Sequence, residues 1–352
     1  MKKFAVFSGF LGSGKTTTMM ALTDWHSAHR GKAAMISNDL GGPGLADNKL
    51  AQLSGCNASE LTDQCICYQR PQLLERLNAL YDDGCELVIS DIPGFGIGAL
   101  DHVYHGLTQD YPGAVVLAPF TVLVEPQTVS LLRSGTDADM QYLMNAQLLE
   151  ADLIVLNKCD LLDDAGRSAD KQYLQTAYPE AKVLCISGRT GEGIEALSDA
   201  LMSGSASMRR PDLGYGGAQF SAAMGRMSEY YIQYRAVVCC DDFDGNAYLT
   251  ALAEQVRDGV AAAGETIPHL KLLAWTPEGD FGKVDLLGTN RPIELTRPFA
   301  LPCTDIAAVL NASAACPHGV LDEIITGAVE TVSARFRLEP TVFRKECFGM
   351  KG

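Results

Sequence analysis

The chain has 352 residues, 47% of them hydrophobic, and a formal net charge of −15. Its length leaves room for two domains with full cores, and its acidity, without any Lys/Arg block, argues against a nucleic-acid or anionic-membrane partner. The 11 cysteines are irregularly spaced, no apolar run is long enough to span a bilayer, and residues 1–7 read as a first strand rather than a signal peptide, so a reducing cytoplasm is the expected location.

From Lys2 to Leu201 short β-branched runs alternate with longer amphipathic ones, the pattern of repeated βα units. Strands are predicted at 4–8, 33–37, 87–91, 114–124, 153–157 and 183–187, with helices at 15–29, 71–81, 140–149, 169–178 and 194–202. The fold class this implies is α/β: a doubly wound, mostly parallel sheet over residues 1–205. Residues 206–225 are rich in Gly, Ser and Ala and are expected to be a linker. Residues 226–352 form a second, smaller α+β domain, with strands at 232–240, 270–275, 282–287 and 307–312 and helices at 247–263 and 320–337.

The sharpest motif is Gly9-Phe10-Leu11-Gly12-Ser13-Gly14-Lys15-Thr16, followed by Thr17, between a predicted strand and a predicted helix; this is the P-loop pattern, which makes the expected domain a P-loop NTPase. The glycines let successive backbone N–H groups turn inward on a phosphate chain, and the helix N-terminus adds its positive dipole end. Lys15 then reaches the β- and γ-phosphates, and Thr16 offers its hydroxyl to Mg²⁺. A second segment, Asn157-Lys158-Cys159-Asp160, follows an apolar strand; the Asp160 carboxylate can accept from N1–H and N2–H₂ of guanine, whereas adenine presents an acceptor at the first position. Ser187-Gly188 follows the next strand and is expected to offer a backbone N–H to the guanine O6. At the end of the strand over 87–91, Asp91 can hold Mg²⁺ through water and Gly94 can turn its N–H toward a γ-phosphate. Together these segments point to GTP as the nucleotide and to slow hydrolysis to GDP, since no Gln follows Asp91-Ile92-Pro93-Gly94.

Taken with Ser37-Asn38-Asp39-Leu40-Gly41 and Cys65-Ile66-Cys67, these motifs resemble the CobW-like metallochaperone GTPases, which are related to GTPases that assist nickel insertion and cobalamin enzymes. The resemblance covers most of residues 1–205. It implies that Asp39 lies in a switch region near Mg²⁺, where it is the candidate to orient the attacking water, and that the cysteine segment binds a transition metal such as Zn²⁺, Co²⁺ or Ni²⁺. The family pattern is Gly-Cys-x-Cys-Cys, whereas this chain has Gln64-Cys65-Ile66-Cys67-Tyr68, one thiolate short. A closed tetrahedral site therefore needs further ligands, for which Cys56, Cys85 or a bound partner are the candidates. The implied partner is a client metalloprotein; the alternative is a GTPase switch for a cobalamin-dependent enzyme that carries no metal itself. A homodimer is left open, and a small-molecule kinase is disfavoured by the guanine-type segment.

Other candidates weigh less. His102 and His105 are expected to be solvated surface histidines, Cys316-Pro317-His318 a helix-capping turn, and Cys239-Cys240 adjacent strand residues on opposite faces.

Overall fold

The computed structural model describes residues 2–135, 137–238 and 242–350. The chain separates into two compact units, one of Met1–Pro43 with Ser54–Phe220, the other of Gly44–Leu53 with Ser221–Gly352. This division differs from the expected 1–205, 206–225 and 226–352: residues 206–220 go with the first unit, and a ten-residue piece from early in the chain goes with the second. The Cys239-Cys240 pair lies outside the described residues.

In chain order the first unit contains β1 (Lys3–Ser8), α1 (Lys15–His29) and β2 (Ala33–Asn38); the chain then makes α2 (Ala46–Leu53), which belongs to the second unit. It returns as β3 (Ala58–Leu61), α3 (Arg70–Asp82), β4 (Leu87–Asp91), a π-helical turn over Leu100–His105 running into α4 (Gly106–Asp110), and β5 (Thr121–Val124). α5 (Pro126–Ser134), α6 (Ala138–Glu150), β6 (Leu153–Leu156), α7 (Asp164–Ala177), β7 (Lys182–Cys185) and α8 (Ile194–Ser203) complete it. The seven strands form one parallel sheet in the order β3-β2-β4-β1-β5-β6-β7. Every residue of β1 is buried, as expected of a central parallel strand covered by helices on both faces. The strand expected over 114–124 shrinks to β5, because Pro119 has no N–H for a ladder.

The second unit begins with α9 (Ala218–Gly225), whose first residues belong to the first unit, and continues with β8 (Ser228–Val238), α10 (Gly245–Ala262), β9 (Thr266–Trp275) and β10 (Phe281–Leu286). β11 (Glu294–Arg297), β12 (Asp305–Ala315), α11 (His318–Arg335) and β13 (Leu338–Gly349) complete it. Its sheet is antiparallel, in the order β11-β10-β9-β12-β8-β13. On one face Tyr230, Ile232, Tyr234 and Ala236 of β8 and Ile306, Ala308, Leu310 and Ala312 of β12 form a core with α10 and α11. The alternate residues Tyr231, Leu273, Phe281 and Val309 pack instead with Leu45 and Ala46 of the α2 segment. Lys271 pairs with Asp47 and the Lys49 ammonium lies 4.5 Å from the Trp275 ring centre, which fixes α2 on that face.

Candidate nucleotide site and cysteine turn

The P-loop joins β1 to α1 with Gly9, Gly12 and Gly14 all at positive φ. A Cβ at Gly9 would lie 2.2 Å from the Leu123 carbonyl oxygen and one at Gly14 would lie 2.3 Å from Asn157 Nδ2, so neither position tolerates a side chain. Lys15 Nζ donates to the Gly9 carbonyl at 2.6 Å, folding back along the loop it would stabilise around a phosphate. Thr16 is buried in the first turn of α1, Thr17 is exposed, and the buried Ser13 hydroxyl has no hydrogen-bond partner among the described residues. An orphaned hydroxyl inside a glycine cradle at a helix N-terminus is the donor set a phosphate chain requires.

The guanine-type loops meet this cradle through Asn157. Its Nδ2 donates to the Ser13 carbonyl at 2.8 Å and its Oδ1 accepts from Gly188 N–H at 2.9 Å, so Asn157 is a strut between the two loops. Lys158 adopts a left-handed φ of 60° and reaches Glu125 at 2.5 Å. Asp160 accepts from the Ser187 hydroxyl at 2.6 Å and from Arg189. Burial opposes ionisation of Asp160, but these two partners hold its carboxyl below the usual range, leaving it an anionic acceptor. Gly188 is required for closeness: a Cβ there would lie 2.7 Å from Thr18 Oγ1.

On the other side of the cradle, Asp91 is buried at the end of β4 and its Oδ1 accepts from Asn38 N–H at 2.9 Å. The Asn38 side chain donates to the carbonyls of Leu61 (3.1 Å) and Gln64 (2.8 Å) and accepts from Ile66 N–H at 2.9 Å. One residue thus ties the Asp91 carboxylate to the cysteine segment. That segment is a turn closed by Tyr68 N–H to the Cys65 carbonyl at 2.9 Å, which brings the two sulfurs of Cys65 and Cys67 to 2.6 Å. Hydrogen bonding from Cys67 holds the Cys65 thiol low, while Cys67 is pushed well up and keeps its proton. Asp39 follows directly, its N–H bonded to the Leu61 carbonyl at 3.2 Å and its Oδ1 accepting from Leu40 N–H at 3.2 Å.

The structure does not bring Cys56 to this pair. Its thiol lies near Thr23 and Asp24 of α1, where burial pushes it up to about 12. Cys85 instead accepts from Asn57 at 3.7 Å. Among the described residues no three Cys, His, Asp or Glu side chains group closely enough to hold a metal ion. His102 and His105 are half-buried rather than solvated: His102 packs on Tyr215 with ring centres 5.0 Å apart, and His105 Nε2 lies 3.2 Å from the Arg209 carbonyl. Pro317 does stand at the N-cap of α11, as the capping-turn reading requires.

Residues that the motifs do not name complete the site. Gln147 donates to the Gly94 and Gly96 carbonyls at 3.0 Å each, and Glu150 accepts from the N–H groups of Gly98 (2.9 Å) and Leu100 (2.8 Å). Both lie on α6 and together clamp the glycine-rich loop after Asp91. Burial pushes the Glu150 carboxyl up to about 8. The segment expected to be a linker lies along the same unit: Tyr142 donates to the Leu213 carbonyl at 2.7 Å, Arg210 pairs with Asp101 at 3.1 Å, and Tyr215 packs on His102.

A glycine cradle at the head of α1, a strand-end Asp on one side and a strut-linked Asn-Lys-Cys-Asp loop on the other define a P-loop nucleotide-binding protein. Residues 3–185 match the CobW/HypB/UreG nucleotide-binding domain, and the chain belongs to that family. It is 28% identical over 225 residues to a zinc chaperone CobW of Sinorhizobium sp., covering 54% of this chain and 60% of that one. It is also 29% identical over 174 residues to GTPase Obg 2 of Anaplasma marginale strain Florida, 46% of this chain and 48% of that protein, so it spans about half the length of such relatives. Among solved structures, HypB from Helicobacter pylori in complex with nickel aligns at a TM-score of 0.41 and 19% identity, over 57% of this chain and 86% of that one.

Proposed function

We propose that the chain binds and slowly hydrolyses GTP with Mg²⁺ and uses the nucleotide state to control a transition metal held at Cys65 and Cys67 for delivery to a client metalloprotein in the cytoplasm. The observation that supports this most directly is Asn38, which contacts Asp91 through its backbone and the cysteine turn through its side chain. A change at the Asp91 carboxylate has a path of hydrogen bonds to the backbone that carries the thiols.

The residues fit the nucleotide. The N–H groups of Gly12, Ser13 and Gly14 with Lys15 would hold the phosphates, and Asp160 with the Ser187-Gly188 segment would select guanine. Thr16, Asp39 and Asp91 would hold Mg²⁺, which when bound supplies positive charge to the transferred phosphoryl group. Lys15 stabilises the same charge, Gly94 supplies an N–H, and Asp39 orients the water. With no glutamine following the Asp91 motif, and with Gln147 committed to two carbonyls, the expected intrinsic rate is low.

The thiols supply two ligands only, and a tetrahedral ion keeps positions open for a ligand from elsewhere. An incompletely wrapped ion suits transfer to a client better than permanent storage. The test is Zn²⁺, Co²⁺ and Ni²⁺ binding to the reduced protein with and without GTP and Mg²⁺, against the Cys65→Ser/Cys67→Ser double variant. Thiolate-dependent binding that changes with nucleotide is expected. Equal binding by the double variant, or none by either protein, would remove the metallochaperone reading and leave a GTP-gated helper of a cofactor enzyme.

A further inference from the structure

A second thiol pair flanks the guanine-type loop and has no part in the reading above. Cys159 stands between Lys158 and Asp160 and is fully buried, its Sγ–H directed at the Leu156 carbonyl at 3.1 Å. Cys185 ends β7 opposite Leu156 in the parallel ladder and is half-buried. Cys159 N–H bonds to the Ile186 carbonyl at 3.0 Å, and the Leu156 carbonyl that its thiol faces also accepts from Ile186 N–H at 2.9 Å, so Cys159 and Cys185 are neighbours across the β6–β7 ladder. Two residues beyond Cys185, Ser187 holds the Asp160 carboxylate. The pair therefore joins the two loops that shape the guanine subsite.

We propose that Cys159 and Cys185 are a modification site, a dithiol that a hydroperoxide closes into a disulfide, and that closure weakens guanine-nucleotide binding. The nucleotide consequence rests on the function proposed above; the disulfide itself does not.

The surroundings assign the roles. With the Cys159 thiol beside it and Lys171 and Arg167 of α7 as nearby cations, the Cys185 thiol is held at about 7, so a large share is thiolate near neutral pH. Cys159 is pushed up by its neighbour Cys185 and by burial, and so keeps its proton until Cys185 has reacted. The Cys185 thiolate attacks a peroxide oxygen and breaks the O–O bond, giving a sulfenic acid at Cys185 and hydroxide, which takes a proton to leave as water. Cys159 then attacks the Cys185 sulfur, loses its proton, displaces the hydroxyl as a second water and forms the S–S bond. Two thiols lose two electrons and one hydrogen peroxide becomes two waters.

Closing the bond draws the sulfurs to about 2 Å. Because Cys159 is bracketed by Lys158 and Asp160, the movement is taken up in the segment that presents the guanine-binding carboxylate.

The test treats the reduced full-length protein with hydrogen peroxide, then measures affinity for a fluorescent GDP and maps cysteines after trypsin. Cleavage after Lys158, Arg167, Lys182 and Arg189 puts the two sulfurs on separate peptides, Cys159–Arg167 and Val183–Arg189, which only the disulfide joins. The expected result is the joined peptide with an affinity loss of tenfold or more, reversed by dithiothreitol and absent from the Cys185→Ser variant. Failure to recover the joined peptide overturns the proposal, as does a joined peptide with unchanged affinity, or an equal loss in Cys185→Ser. Should the reduced protein bind no guanine nucleotide, the proposed function fails and the gating proposal with it, even if the joined peptide forms.

Discussion

Both carboxylate oxygens of Asp160 are engaged by the protein itself, one by Ser187 and one by Arg189. Arg189 is largely exposed, so guanine can displace it at little cost in burial, while Ser187 keeps the carboxylate aimed. Asp160→Ala is expected to weaken GTP binding by about a hundredfold or more, since two hydrogen bonds to a charged acceptor contribute roughly 3–6 kcal/mol, and to leave ATP binding unchanged. Titration with fluorescent GTP and ATP analogues checks this; an equal effect on both would remove guanine selection from Asp160. Gly14→Ala tests the cradle. Its φ of 89° and the 2.3 Å approach to Asn157 predict about 1–3 kcal/mol of destabilisation by urea denaturation, together with loss of nucleotide binding. The positions of the glycine cradle between β1 and α1 and of Asp160 just past β6 were legible in the sequence because each motif directly follows an apolar strand run. The strut role of Asn157 was not, because it depends on a contact across 144 residues.

At the scale of elements, α6 governs the loop after Asp91. Glu150 has an ordinary carboxyl value near 4.5 when unfolded and about 8 when folded. The folded state therefore binds the extra proton between these values, and stability conferred by protonated Glu150 is full below about 4.5 and lost as pH rises through about 8. Glu150→Gln, which keeps the shape and one acceptor, should flatten the decline in stability across that window. Denaturation midpoints of both proteins at several pH values measure it; parallel curves would show that Glu150 does not titrate there. Gln147→Ala should loosen the Gly94–Gly96 loop and change GTP hydrolysis with little change in GDP affinity, because among the described residues the Gln147 side chain bonds to that loop alone. The periodicity of α6 predicted the helix, yet nothing in a helical pattern shows which polar residues turn inward onto a neighbouring loop. The edge strand β13 escaped for a related reason: Pro340 and its many charged residues read as irregular chain, while an edge tolerates both.

For the whole molecule, the division into two units followed from composition only in part. Residues 206–225 look like a linker because they lack an apolar period, but side chains of the first unit hold the part up to Phe220 through Tyr142, Asp101 and His102. The reverse holds for α2, which is short and polar enough to pass as a loop until the second sheet supplies its partners. Leu45 is 2% exposed within that cluster, and Leu45→Ala should lower the stability of the second unit by about 2–4 kcal/mol. Hydrogen exchange should show the loss in β8, β9 and β12 first; protection lost only in β1 and β4 would contradict the assignment of α2.

The excursion of α2 also has a consequence for synthesis. Its apolar residues Leu45, Ala46, Leu50 and Leu53 leave the ribosome early, whereas the strands they cover, β8, β9 and β12, lie between residues 228 and 315. Throughout that interval the nascent chain carries an apolar segment, too short to hold a helix by itself, with no surface to sit on, and β3 follows it directly in sequence. Such a chain exposes a greasy hook to the crowded cytosol during translation, and its yield should depend on elongation speed and on chaperones that bind exposed apolar segments.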